Sequence, residues 1–297
     1  MPTVRSDFSG PVDLGGMQAM CSRAWSPSAR FHPGQLAWNR YSHAEEPDRV
    51  GADEAISLWR VGDEVVGFGW AESPDWLELQ VDPAYPEVAG DVVDWFEDWS
   101  DAPRQSAVVM EGDGVEPVLR AAGFRPDRDG WHLTHHLLDL RELPQVPRVA
   151  GYRLRPVEQG EASPRAAVHR VAWAEFGPSR VSAAAYAQVM RAWPYRPDLD
   201  WVACEREGRM VASAVVWLDE SIGVALVEPV GCVPAHRGRG LAAAVTLAAL
   251  HRSRELGAHT AQVSPRGDDD YPGPRRLYQS LGFRPVARTV TWTRSMD

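Results

Sequence analysis

Between Val233 and Ala242 the chain reads Val-Pro-Ala-His-Arg-Gly-Arg-Gly-Leu-Ala, and these residue types at this spacing suit a phosphate group. Glycines let a backbone curl closely around an anion, the first N–H groups of a following helix point at it, and the helix dipole favours negative charge there. Arg237 and Arg239 add positive charge beside Gly238 and Gly240. No Gly-Lys-Ser/Thr follows and no G-x-G-x-x-G is present, so the run is neither of the common nucleotide-binding loops. Just upstream, Glu228 interrupts the apolar stretch Val224 to Val230. A carboxylate in such a place is costly to bury unless it is paired or used. Alternation along a strand puts Glu228, Val230 and Cys232 on one face and Val227 and Pro229 on the other. Pro229 is out of place in a central strand, because it cannot donate to the ladder.

To work together these residues need a strand, a tight turn and a helix, in that order. The β-rich run Val224–Val227 predicts the strand, and the Ala/Leu-rich Leu241–Leu256 predicts a helix stopped at Gly257. Further on, Arg276-Leu277-Tyr278-Gln279-Ser280-Leu281-Gly282-Phe283 predicts a short helix ending at a glycine before the next strand.

The same order of elements is written twice. Val118 through Pro126 matches Leu277 through Pro285 and shares Gly-Phe-Arg-Pro with it, and Gly62 through Gly67 parallels Gly208 through Ser213. Both of the latter predict a turn entering a strand, with a hairpin partner before it at Ser57–Val61 and Trp201–Glu205. A boundary falls near Leu143-Pro144-Gln145-Val146-Pro147, and Tyr152–Val157 predicts the first strand of the second unit. The copies differ where an anion would bind. The first reads Val81-Asp82-Pro83-Ala84-Tyr85-Pro86-Glu87, in which Asp82, Glu87 and the following Asp91 would repel a pyrophosphate and Pro86 lacks a donor.

With 297 residues and 44% hydrophobic side chains, the chain has the size of two domains and the composition of a folded core. A net charge of −10 disfavours nucleic acid as a partner and fits a cationic acceptor better. Cys21, Cys204 and Cys232 lie far apart, without disulfide or metal-ligand spacing, which suits a reduced cytoplasmic setting. Neither a signal-like segment nor a run of membrane-spanning length is expected. His132, His135 and His136 have no Cys or acid to complete a metal set and read as surface or interface histidines, so no metal is expected.

Two segments carry a family resemblance. Arg237 through Ala242 follows the Arg/Gln-x-x-Gly-x-Gly/Ala pyrophosphate loop of the GCN5-related N-acetyltransferases (GNAT), after a Val-x-Pro-like strand end. Leu277 through Phe283 looks like the family's Leu-Tyr-x-x-x-Gly-Phe element. With the internal repeat, the chain resembles tandem members of the family, similar to mycothiol synthase-like proteins. The implied fold is α/β with a mixed sheet: a degenerate unit over 1–145 without a CoA loop, and an acetyltransferase unit over 149–297 that binds acetyl-CoA. The implied reaction moves an acetyl group to a primary amine of a small molecule or peptide, by direct attack. Acetylation of a cysteinyl amine and a decayed CoA-binding module are the alternatives. A monomer or a homodimer fits equally.

Under that resemblance Cys232 and Val233 meet the pantetheine arm through their backbones, and Arg237, Gly238, Arg239, Gly240, Leu241 and Ala242 hold the pyrophosphate. Tyr278 takes the place of the acid beside the CoA sulfur, and a phenol with a pKa near 10 is a proton donor at neutral pH. Deprotonating an aliphatic amine of pKa near 10 at pH 7 costs roughly 4 kcal/mol. Glu228 is the candidate base, with a structural carboxylate or a water chain as the competing readings. Cys232 as a covalent nucleophile is disfavoured, since no His is placed to activate it. Trp193, Pro194 and Tyr195 are expected at the acceptor pocket, or in the core. Asp268, Asp269 and Asp270 are expected to cap the next helix or to attract a cation, and Tyr271 stands where the family often has an Asn.

Overall fold

The computed structural model describes residues 2–43 and 50–296. The first half runs β1 (Val4–Asp7), α1 (Pro11–Arg23), α2 (Pro33–Tyr41), β2 (Ala55–Val61), β3 (Glu64–Ser73), β4 (Trp76–Val81), α3 (Val88–Trp99), β5 (Arg104–Met110), α4 (Glu116–Ala121), β6 (Arg125–Asp127) and β7 (Thr134–Asp139). The second runs β8 (Arg153–Pro156), α5 (Ala162–Trp173), α6 (Ala183–Val189), β9 (Asp200–Cys204), β10 (Met210–Asp219), β11 (Val224–Cys232), α7 (Leu241–Glu255), β12 (Thr260–Val263), α8 (Gly273–Ser280) and β13 (Arg284–Ser295). No helix or strand occupies residues 143–152 between them.

The strands form one mixed sheet in the order β1-β2-β3-β4-β5-β13-β7-β12-β11-β10-β9-β8, with β6 attached to β13. Each half is an antiparallel meander followed by one parallel pair, β4 with β5 and β11 with β12. The apolar run of β10 is buried along its whole length, as a central strand covered on both faces requires. α7 lies against β9, β10 and β11. Its Ala and Leu residues favour the helix, and Gly257, with φ of 100°, ends it.

The halves exchange their last strands. β7, from the first half, pairs on one side with β12 and on the other with Arg284–Arg288 of β13. β13 then runs on, and Thr289–Ser295 pairs with β5 and, at Thr291–Thr293, with β6. The exchange ties the cores together: Val290 and Trp292 pack in the cluster built on β4, α3 and β5, while Leu138 and Leu140 pack with β10, β11 and α7. The two sequence units thus share one sheet. A second tie is made by α2, which lies across β10. Gly34 sits so close to Trp217 that any Cβ there would overlap the Trp217 side chain, and Ala37 and Trp38 join the core of α5, α6 and β10.

Candidate active site

β11 and β12 pair only over Val224–Leu226 and Thr260–Gln262. Beyond Leu226 the pairing of the two parallel strands stops, and a cavity of about 500 Å³ is lined by Val227, Glu228, Pro229 and Val230 of the one and by Val263, Ser264 and Pro265 at the end of the other. Pro229, without an N–H, stands where no β12 partner would have accepted one. The splayed strands position Glu228 and, from α8, Tyr278 in one enclosure.

Glu228 is half-buried in the cavity wall, with its backbone carbonyl accepting a hydrogen bond from Trp217 Nε1 at 2.6 Å. Burial pushes its carboxyl up to about 7, opposed by the charge of Arg30. Arg30 is itself buried and paired with Glu78 at 2.8 Å. Tyr278 packs edge-to-face on Phe283, with ring centroids 5.7 Å apart, and is buried apart from the part of its side chain that lines the cavity. Burial first, and the negative charge of Glu228 second, raise its phenol above the usual value. The pair therefore consists of a carboxyl that titrates near neutrality and a phenol that keeps its proton.

Where β11 ends, Val233 N–H bonds to the Val211 carbonyl and a short 3-10 turn over Pro234–His236 leads into the Arg-Gly run. Gly238 and Gly240 have φ of 74° and 78°, a region costly for residues with a Cβ. Both face open space. The first bond of α7, from Ala244 N–H to the Gly240 carbonyl, leaves the preceding N–H groups at the free end of the helix. Leu241 is buried, its side chain packed with Val211, Ala214 and Val245.

The two arginines serve the loop differently. Arg237 pairs with Glu175 at 2.7 Å and donates to the carbonyls of Ala172 and Cys232, so it braces the turn against the end of α5. Arg239 donates to Tyr152 Oη at 2.8 Å, and Tyr152 in turn meets His236 Nδ1. Cys232 is half-buried, and burial raises its thiol, which disfavours a thiolate nucleophile at neutral pH.

At the equivalent turn of the first half, after β4, Asp82 occupies its own anion position. Its carboxylate accepts from Ala84 N–H and from Arg23. α3 then starts without a glycine turn, at Glu87.

Several expectations move. Trp193 lies outside the cavity, on a surface recess with Leu14 and Gln18, and Tyr195 donates instead to the buried Asp200. Asp268 and Asp269 do not cap α8. They pair with Arg266 at 2.8 Å and Arg275 at 2.6 Å, because two arginines within reach outcompete the helix end, which begins at Pro272 with no side-chain cap. Tyr271 donates to Glu175. His135 and His136 are both buried in the exchanged strand, and His132 lies just outside it; among the described residues no cluster able to hold a metal occurs.

Sequence reasoning missed the aromatic lining. Trp38 from α2, His169 and Trp173 from α5, and Phe176 just after it stand around Glu228 and Tyr278. The apolar positions of α5 carried a signal, since Trp173 and Phe176 continue past its buried face into an exposed end.

The model of the acetyltransferase (GNAT) family matches residues 165–283, which contain α6 through α8 and every residue of the loop and the Glu228–Tyr278 pair. Among solved structures, a tandem GNAT protein from the clavulanic acid biosynthesis pathway superposes with a TM-score of 0.62 at 19% identity, covering 99% of this chain and 98% of its own. A GCN5-related N-acetyltransferase from Sphaerobacter thermophilus gives 0.61 at 16% identity, over 99% and 95%. A GNAT-family acetyltransferase from Colwellia psychrerythraea gives 0.58 at 13%, over 98% and 99%. No curated protein matches the sequence significantly. The fold is a tandem GNAT fold, and the family match falls on its C-terminal part alone.

Proposed function

We propose that the protein is an acetyl-CoA-dependent N-acetyltransferase whose C-terminal unit, 149–297, binds CoA while the N-terminal unit, 1–145, completes the acceptor cavity. The observation that carries this reading is the coincidence, around β11, of the β11–β12 splay, the Glu228–Tyr278 pair and the open Gly238–Gly240 turn. The pyrophosphate of CoA would take the N–H groups from Gly238 to Ala242, with Arg239 nearby, and the pantetheine arm would run past Cys232 and Val233 toward the splay.

In the reaction Glu228, as carboxylate, accepts a proton from the acceptor ammonium. The freed nitrogen lone pair attacks the thioester carbonyl, and the C–S bond breaks as the tetrahedral adduct collapses. Tyr278 hands its proton to the departing thiolate and recovers one from the acylated nitrogen, which sheds its second proton to become the amide; Glu228 returns its proton to solvent. A positioned acid or base of this kind contributes about 10²–10⁴ in rate. A part for the first half is supported by Gln35, Trp38, Trp131 and Leu133, which line the cavity.

Release of free thiol from acetyl-CoA in the presence of amines tests the reading. Tyr278→Phe is expected to lower kcat by about 10²-fold or more while leaving CoA affinity in place; unchanged turnover would remove Tyr278 from the mechanism. Acetylation of a cysteinyl amine requires no different machinery, but Ser264-Pro265-Arg266-Gly267-Asp268 departs from the pattern expected of such enzymes, and Arg266 there is spent on Asp268.

A further inference from the structure

The acceptor can be narrowed from the walls of the same cavity, an inference that rests on the N-acetyltransferase reading. Trp38, His169, Trp173, Phe176 and Tyr271 form a continuous aromatic run: Trp38 to His169 at 5.3 Å between centroids, His169 stacked on Trp173 at 5.7 Å, Trp173 to Phe176 at 5.6 Å, and Phe176 edge-on to Tyr271 at 4.8 Å. All five line the cavity. The imidazole in the run carries no charge near neutrality, since burial drops His169 to about 3.

Against this wall stands one acid. Among the described residues that line the cavity, Glu228 is the sole carboxylate. Of the neighbouring aspartates, none of which lines the cavity, Asp268 and Asp269 are held by Arg266 and Arg275, and Asp270 lies 3.8 Å from Arg266 with its side chain in solvent. A polyamine or an aminoglycoside entering here would leave its second and third ammonium groups against aromatic faces with no carboxylate partner among the described lining residues, and burying an unpaired charge is costly. One ammonium, by contrast, can face Glu228 while aromatic faces add cation–π attraction. The rest of the molecule then has apolar, ring-shaped surface to cover.

We propose that the acceptor is a monoamine with an aromatic body, an arylalkylamine in chemical class, seated against the Trp38–Trp173–Phe176 wall with its amine at Glu228. The competing occupant of an apolar cavity is a long acyl chain on CoA, but such a chain gives the half-buried Glu228 no counterpart.

Calorimetric binding to the full chain in the presence of saturating CoA tests this, with 2-phenylethylamine, spermidine and kanamycin as probes. 2-Phenylethylamine is expected to bind about tenfold or more tightly than either polycation, and Trp173→Ala to weaken it about tenfold while the Kd for CoA is unchanged. Equal or tighter binding of spermidine or kanamycin would overturn the proposal, as would no binding of 2-phenylethylamine, or a Trp173→Ala variant with unaltered affinity. Thiol release compared between acetyl-CoA and octanoyl-CoA closes the other route: a preference for octanoyl-CoA that is lost in Trp173→Ala assigns the wall to the acyl chain and also overturns it. The two readings fail separately. Arylalkylamine binding without acetyl transfer would refute the enzymatic reading and leave the pocket assignment standing, whereas transfer to polycations alone would do the reverse.

Discussion

The proposed chemistry turns on two side chains whose environments push both toward the protonated form. Desolvation raises Glu228 to about 7 and Tyr278 above its ordinary range. A carboxyl raised in this way is a base only above neutrality, so kcat/KM is expected to rise with pH through about 7. In Glu228→Gln that limb should vanish, with a loss of about 10²–10⁴ in rate at pH 8; a pH–rate profile that keeps the limb would assign it elsewhere. The sign of the stability effect follows from the same shift. The folded state holds the proton more tightly than the unfolded chain, in which a Glu titrates near ~4.3. The wild type therefore loses stability as pH rises from that value through about 7, and Glu228→Gln should flatten the dependence of urea midpoint on pH across this window. Glu228 was legible in the sequence because a carboxylate in an apolar strand needs a reason. Trp38 and Trp173 were not, because α2 and α5 lie far apart in the chain and nothing in either period shows that they face one cavity.

At the level of elements, the strand, turn and helix that present the loop follow from local sequence. β11 begins with the apolar run at Val224 but continues to Cys232, past Val227, whereas α7 starts at Leu241 and stops one residue before Leu256, as its sequence predicts. The strand exchange does not follow, because β-patterning shows which residues pair but not with which partner. A tight turn after β6 would have folded β7 back as a hairpin within its own half; the observed chain crosses over, and β13 runs straight on from Arg288 to Thr289 without a turn. The crossing has a measurable consequence. Trp292, near the C-terminal end, is fully buried in the N-terminal core beneath Arg120. Trp292→Ala should cost about 3–5 kcal/mol, with hydrogen-exchange protection lost in β4 and β5 before β11. Loss confined to the second half would contradict the exchange.

Taken as a whole molecule, the chain in the proposed reading uses one of its two copies for a ligand and the other as wall. The first copy lacks the glycine turn and fills the equivalent position with Asp82, held by Arg23 and Ala84 N–H, whereas the second leaves Gly238 and Gly240 open. The first contributes α2, docked through Gly34 onto Trp217, and so closes a cavity that the second half alone would leave open on that side. The difference between the two turns was readable in the repeat, since the copies match in framework and diverge in the loop; the division of labour drawn from it is the proposal. Calorimetric titration of acetyl-CoA into the wild type and into Gly240→Val tests it most directly. One site per chain is expected, with affinity lowered about tenfold or more in the variant, because a β-branched residue at φ of 78° strains the turn and crowds the anion. Two sites per chain, or binding unaffected by Gly240→Val, would contradict the assignment of CoA to the second copy.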